Sequence, residues 1–322
     1  MGKRYLIVDA LNMYFRAYIV DPSLSTNGQP IGGTKGFLKI LQKLVRETKP
    51  DRVVIAWDGE GGSKKRKLVN KGYKEGRKPI RLNRAIRNLS ENEELENKIW
   101  QQTRLVEYLN CLPVSQLVVA GTEADDSISC VVNLPYLKGD QKVIVSSDKD
   151  FIQLCDEETV LLRPIQKEVL NRKNIVEKFG IHPNNFALAR AIVGDKSDNL
   201  SGIRGVGLKT VSKRLPMLVE EKSYTIDDVV DYCRQESLES NVSAYTNISE
   251  GKEIIQQNYR LMQLYVPNLP IDDYDMVREV IKDPNMEFNK TEVLKMMIED
   301  GFGSYDWNDL FRACKKMVVT EQ

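Results

Sequence analysis

Tyr5-Leu-Ile-Val-Asp9 is a short apolar run that ends in a carboxylate, and the pattern returns at Arg52-Val-Val-Ile-Ala-Trp-Asp58 and Lys142-Val-Ile-Val-Ser-Ser-Asp148-Lys-Asp150. Runs of this length, rich in Val and Ile, mark strands buried on both faces. The strand cores are Tyr5–Val8, Arg52–Trp57 and Lys142–Val145, with a fourth at Leu117–Ala120. Amphipathic stretches lie between them: Phe37–Arg46 carries Phe37, Ile40, Leu41, Leu44 and Val45 at the spacing of one helix face. Strands alternating with helices predict an α/β fold with a mostly parallel central sheet flanked by helices.

In such a sheet, ligands sit beyond the carboxyl ends of the strands. Asp9, Asp58, Asp148 and Asp150 fall there. The fourth strand leads into Gly121-Thr-Glu123-Ala-Asp125-Asp126, where Thr122 is placed to cap a helix whose first turn holds the three acids. Taken singly, each acid has an ordinary reading as a cap or as a complement to a helix dipole. Gathered on one edge, they repel one another unless cations neutralise them. Hard carboxylate oxygens suit magnesium or manganese, and a pair of such ions activates a water and stabilises a leaving oxygen in phosphodiester cleavage. A structural calcium cluster is the competing reading, but the sequence has no EF-hand loop.

At 322 residues, 41% hydrophobic and 29% charged, the chain can form one large or two modest globular domains. No apolar run is long enough for a membrane helix, and the N-terminus reads as a first strand and not a signal peptide, so a cytoplasmic protein is expected. The five cysteines contain no CxxC pair and read as free thiols, not as a zinc site. His182 is the only histidine, which excludes paired-histidine catalysis and any Ser-His-Asp triad.

A net charge of +1 conceals a strong local asymmetry. Ser63–Arg87 carries eleven Lys/Arg against one acid, Glu75, and is followed at once by Glu91, Glu93, Glu94 and Glu96. In isolation such a run is a solvated loop. Here it leaves the sheet directly after Asp58, in a connection (59–90) too long to be an ordinary one. Tyr73 among Arg66, Lys74 and Arg77 supplies what a single-strand funnel needs, stacking for a base and charge for phosphates.

From Pro183 the pattern becomes helical, with Asn184–Val193 and Thr210–Leu218 as helix candidates. Between them, Gly194-Asp195-Lys-Ser-Asp198-Asn puts Asp195 and Asp198 on one face if it is a helix end. Ser201-Gly-Ile-Arg-Gly-Val-Gly-Leu-Lys-Thr210 then places close glycines before a helix bearing Lys209 and Lys213, a hairpin suited to sequence-independent gripping of a duplex backbone.

Together these pieces, in this order from Leu6 to about Leu215, resemble the 5′-nuclease (flap endonuclease) family, which includes bacteriophage 5′–3′ exonucleases and the N-terminal nuclease domain of bacterial DNA polymerase I. The resemblance implies a PIN-like nuclease core over 1–182, with a basic arch at 59–90, and a helical DNA-binding subdomain over 183–322 with its helix–hairpin–helix motif at 202–210. It implies two Mg2+ ions, replaceable by Mn2+, among Asp9, Asp58, Glu123, Asp125, Asp126 and Asp148, with Asp150, Asp195 and Asp198 around the second. Asp148, Lys74 and Arg66 are the implied catalytic set, the two cations holding the scissile phosphate. Arg16, Tyr73, Lys74 and Arg77 would contact DNA, as would Gly202, Gly205, Gly207, Lys209, Thr210 and Lys213 at the hairpin, with K+ as a further ion there.

The implied substrates are flap, nicked and 5′-overhang DNA and RNA–DNA hybrid. The implied setting is primer or flap removal in replication, beside a single-strand-binding protein, by an enzyme of the phage-encoded kind; a monomer is expected because the sequence shows no oligomerisation signature. Ser201 stands where the family often has proline. Gly72, Gly76 and Pro79 argue against a continuous helix in the arch, leaving open whether a 5′-end threads beneath it or slides past. The alternatives are a PIN-like ribonuclease, which would lack the hairpin, and a non-catalytic binder of branched DNA, which would lack Asp195 and Asp198.

Overall fold

The computed structural model describes residues 2–86, 89–267 and 269–319; Arg87 and Asn88 of the basic connection, and 268 and 320–322 of the helical part, lie outside the described residues. Strands β1 (Arg4–Asp9), β2 (Arg52–Trp57), β3 (Ser115–Val118), β4 (Gln141–Val145), β5 (Thr159–Arg163) and β6 (Glu168–Leu170) form a six-stranded sheet in the order β3-β2-β1-β4-β5-β6. Every neighbouring pair is parallel except β5–β6. The central strand β1 sets Ile7 opposite both Val54 and Ile144.

The expected cores of β1, β2 and β4 fall inside the observed strands. The third strand runs earlier than Leu117–Ala120 and stops at Val118. The chain bends there through Gly121 at φ +70°, and Gly59 donates its N–H to Thr122 O, which swings the next helix over Asp58. Strands β5 and β6 were not among the four expected; β6 has three residues, too few for a periodicity to register.

Because side chains alternate across a strand, β1 feeds two cores. Ile7 packs with Val54 and Ile144 on one face, and Leu6 and Val8 pack with Val53 and Ile55 on the other. Helices α1 (Ala10–Val20), α2 (Gly32–Thr48) and α4 (Glu91–Asn110) cover the second face. A short helix α3 (Lys64–Val69) opens the basic segment, and α5 (Ala124–Val132) covers the first face with α6 (Arg172–Phe179) and α7 (Phe186–Val193). Full burial of each such aliphatic side chain contributes about 1.5–3 kcal/mol.

After α7 come a two-stranded hairpin, β7 (Gly194–Asp195) and β8 (Leu200–Ser201), and then α8 (Leu208–Arg214), ended by Leu215 and Pro216. The helix expected over Thr210–Leu218 is therefore shorter and earlier. Helices α9 (Ile226–Glu239), α10 (Ser243–Glu250), α11 (Lys252–Met262) and α12 (Ile271–Lys282) extend the first-face core. Helices α13 (Lys290–Glu299) and α14 (Asn308–Val319) return to the second face, where Met296, Trp307 and Phe311 join the core with Phe37 and Leu41 of α2. No helix among the described residues is long and apolar enough to cross a membrane, and all five cysteines are free thiols.

Candidate active site

The parallel sheet brings the strand-end acids together as its topology requires. Asp9, Asp58 and Asp148 share a cavity of about 440 Å³ with Glu123, Asp125, Lys74 and Arg77. Local hydrogen bonds fix each acid. Asp9 caps α1, accepting from Asn12 N at 3.2 Å and from Ser146 Oγ at 2.9 Å. Asp58 accepts from Ala124 N at 2.7 Å, which ties β2 to the start of α5. Asp148 accepts from Asp150 N at 2.8 Å. The cap of α5 is Glu123 and not Thr122, and Glu123 makes no side-chain capping bond. Its oxygens are turned instead toward the basic segment.

Burial pushes the carboxyl of Asp9 up to about 7, with its neighbours Asp58 and Asp148 adding to the shift. Burial also takes Asp150 up to about 7, reinforced by Asp148. Asp58 and Asp148 move in the same direction, again chiefly through desolvation, but their side chains stand open to solvent, which screens them and moderates the effect. Glu123 is the opposite case. Burial alone would raise it, but Arg66 and Lys74 outweigh that and hold it at about 2.

The basic segment is pinned to this cluster. Arg66 is 6% exposed and reaches Glu123, Asp125 and Asp126, the last two at 3.1 Å. Lys74 Nζ and Ser63 Oγ donate to Glu123. Arg66 is thus a buried partner of three acids and not an exposed clamp; the three carboxylates and the Leu261 carbonyl offset the cost of taking its guanidinium out of water. Tyr73, expected as an open stacking surface, is 3% exposed. Its ring packs with Leu200, Leu261 and Met262, and its hydroxyl donates to Glu123 Oε2 at 3.2 Å. Among the described residues of the connection only α3 is helical, in keeping with Gly72, Gly76 and Pro79. Beyond Arg77 the chain crosses to α1 and α4: Asn83 Nδ2 donates to Ile19 O and Val20 O at 2.9 Å, and Leu82 N to Glu94 Oε1 at 2.6 Å. Lys67, Lys71 and Lys78 are exposed, and Arg16 lines the cavity wall.

The second acidic group lies beside the cavity. Asp195 and Asp198 stand on the β7–β8 turn, not on a helix end, with Asn199 at φ +59° completing the reversal. Arg190 joins Asp150 (Nε to Oδ1, 2.7 Å) to Asp195, and Arg77 pairs with Asp198. Arg190 was not among the expected site residues. Its signal was a lone cation inside Phe-Ala-Leu-Ala-Arg190-Ala-Ile-Val, since a charge buried in an apolar helix must be paired. Asn12 and Ser146 were also missed; Asn12 Oδ1 accepts from Ser147 N at 3.0 Å and so holds the Asp148 loop.

At the hairpin, Gly202 is required by packing, since a Cβ there would lie 1.9 Å from Val193 O. Gly205, at φ +75°, makes the turn. Gly207, Lys209 and Lys213 are exposed, and Thr210 is half-buried.

Hard, all-oxygen donors on one cavity wall fit a divalent cation such as magnesium. As the side chains stand, no group of three or more acids, histidines or cysteines among the described residues is arranged to hold an ion. The arginines and Lys74 occupy part of the oxygen set.

Residues 4–180 match the family model described as 5′-3′ exonuclease, N-terminal resolvase-like domain. The chain belongs to the 5′-3′ exonuclease family. It is 26% identical to a 5′-3′ exonuclease of Aquifex aeolicus over 89% of both chains. With a 5′-3′ exonuclease of Buchnera aphidicola it shares 31% identity over 65% of this chain and 68% of that one. A bacteriophage T5 flap endonuclease, solved with DNA and metal ions, shares the fold of this exonuclease-family chain. Its TM-score is 0.68 at 18% identity, covering 91% of this chain and 99% of that one.

Proposed function

We propose that the chain is a structure-specific, divalent-metal-dependent 5′-nuclease that hydrolyses phosphodiesters at junctions of single-stranded and duplex DNA. One observation carries the reading: the acids at the ends of three parallel strands open into one cavity with Lys74 and Arg77. Asp9, Asp58, Asp125 and Asp148 are the residues that would hold magnesium or manganese, with Glu123, held in place by Arg66, Ser63 and Tyr73, able to turn Oε1 toward them once Lys74 turns to substrate. Asp126, Asp150, Asp195 and Asp198 support that set from the arginine-paired positions. When bound, two divalent ions supply an activated water and offset charge on the phosphoryl oxygens.

The chain's own groups do the rest. Lys74 stabilises the charge that builds on the phosphate. Arg66 keeps Glu123, Asp125 and Asp126 in place, and Arg77 and Arg16 meet the strand at the cavity rim. Tyr73 acts as an anchor for the arch base. The 202–210 hairpin, with Gly207, Lys209, Thr210 and Lys213 toward solvent, grips the duplex backbone without reading sequence, and K+ belongs to this part of the reading. So does the division into a core over 1–182 and a helical DNA-binding part over 183–322, as do the RNA–DNA hybrid as a further substrate and a replication single-strand-binding protein as a partner.

Cleavage of a 5′-labelled flap, a nicked duplex and an RNA–DNA hybrid, each with Mg2+ and with EDTA, tests the reading. Release of short products from the flap in Mg2+ alone is expected. Binding without cleavage would leave a branched-DNA binder, and cleavage confined to single-stranded RNA would leave a ribonuclease.

A further inference from the structure

The stretch Asn258–Leu264, at the end of α11, touches four of the elements around the site, although it lies beyond the family-model match of residues 4–180. Gln153 follows Asp148 and Asp150 in the same loop and is 3% exposed. Its Nε2 donates to Asp150 O at 2.8 Å and to Met262 O at 3.0 Å, and its Oε1 accepts from Leu264 N at 2.7 Å. Asn258, also 3% exposed, donates through Nδ2 to Ala191 O and Ser201 O, both at 2.9 Å. Those two carbonyls flank the β7–β8 turn that bears Asp195 and Asp198. Arg66 Nε donates to Leu261 O at 3.0 Å, and Ser129 Oγ of α5, the helix of Asp125 and Asp126, donates to Leu264 O.

We propose that Asn258–Leu264 is a brace that sets the metal-site elements relative to one another, with Gln153 and Asn258 as its positioning residues. Neither amide touches the cavity. Each spends both N–H donors on main-chain carbonyls of different elements, a geometry that a shift of either element would break. Buried amides with all donors used have little alternative arrangement. Groups standing behind metal ligands fix ligand orientation and so set metal affinity. Main-chain groups of 261–264 meet the arch base, α5 and the Asp148 loop, and the Asn258 side chain meets both sides of the β7–β8 turn, so the helical part orders the site as well as contacting DNA. This inference rests on the metal-site reading above.

The 322-residue chain carrying Gln153→Met, which keeps the volume and removes all three hydrogen bonds, and that carrying Asn258→Leu are compared with the unaltered chain. Thermal unfolding in EDTA monitors the fold. Mn2+ binding without DNA, followed by electron paramagnetic resonance, reports on the site independently of turnover. Single-turnover flap cleavage is measured against Mg2+ concentration. Mn2+ affinity is expected to fall about tenfold in Gln153→Met, with the Mg2+ half-saturation point rising by a similar factor, while flap affinity in Ca2+ holds. Asn258→Leu is expected to act in the same direction.

Lower thermal stability with unchanged Mn2+ affinity and Mg2+ half-saturation would overturn the proposal and leave two ordinary buried amides. If Gln153→Met does not fold, Asn258→Leu and Ser129→Ala decide by the same readings. Asp148→Asn in parallel separates the two levels: if it binds Mn2+ and cleaves like the unaltered chain, the metal-site reading itself fails.

Discussion

Arg190 Nε lies 2.7 Å from Asp150 Oδ1, and the same guanidinium reaches Asp195, so one cation from an apolar helix neutralises two acids from two different turns. The Arg190 side chain is 11% exposed, and its partners are 17% and 21% exposed. Burial would depress its affinity for a proton, yet the two carboxylates raise it above the ordinary arginine value. Removing it leaves two crowded acids uncompensated. Arg190→Leu is expected to lower stability by about 3 kcal/mol in urea unfolding at pH 8 in EDTA, and Mg2+ is expected to restore part of the loss. A change below about 1 kcal/mol would show that the network is slack.

The Asp148 carboxylate lines the cavity and needs no partner for the fold beyond the Asp150 N–H. Asp148→Asn keeps a hydrogen-bond acceptor there and removes the charge. Flap cleavage in Mg2+ should fall below detection while flap binding in Ca2+ stays within about threefold of the unaltered chain. Unchanged turnover would refute its place among the metal-holding acids.

Lys74 is held by Glu123 and stands over the Tyr73 ring at 5.1 Å from its centroid. If it transfers to the scissile phosphate, Lys74→Ala should slow single-turnover cleavage by about 10²–10³-fold. Arg66→Lys should instead reveal a positional fault, since one ammonium cannot serve Glu123, Asp125 and Asp126 as a planar guanidinium does. Protein unfolding and cleavage, measured side by side, separate the two cations.

Asp9 has its carboxyl raised to about 7 by burial first and by neighbouring acids second. The folded chain therefore binds this proton more tightly than the unfolded chain. Its cost to the metal-free fold is complete above about pH 7 and is relieved as pH falls toward the ordinary carboxylate value. Asp9→Asn keeps the α1 cap, because asparagine caps well. It should raise stability in EDTA at pH 8 and flatten the pH dependence between about 4 and 7. Urea midpoints at pH 5.5 and pH 8 test this, and an unaltered pH slope would refute it.

Tyr73 is an anchor in a small apolar cluster with Leu200, Leu261 and Met262. Tyr73→Ala should cost about 3–4 kcal/mol of stability or local order, and limited proteolysis within 64–81 should accelerate. Tyr73→Phe keeps the ring and should cost about 1 kcal/mol. A Tyr73→Ala chain with unchanged proteolysis but weakened single-strand binding would favour the stacking role expected from the sequence.

The amino-acid sequence by itself determined four of the parallel strands of the sheet and the acids at their ends. Apolar runs this short and this rich in Val and Ile favour strands buried on both faces over helices, and parallel connection places the residues just past each run at one end of the sheet, so Asp9, Asp58 and Asp148 converge for local reasons. The Gly202–Gly207 hairpin was legible on the same ground, since Gly205 at φ +75° and the close approach at Gly202 are properties of the chain at those positions.

The partners of the charges were decided only by tertiary structure. A cation-rich segment looks the same in sequence whether its residues face solvent or a carboxylate, and the burial of Arg66 and Tyr73 depends on surfaces far along the chain. Arg66 meets Leu261 across 195 residues, and Gln153 meets Met262 across 109. Such pairings follow no local period, because they are fixed by how the helices close over both faces of the sheet. That closure turns a row of strand-end acids into a site with a fixed shape.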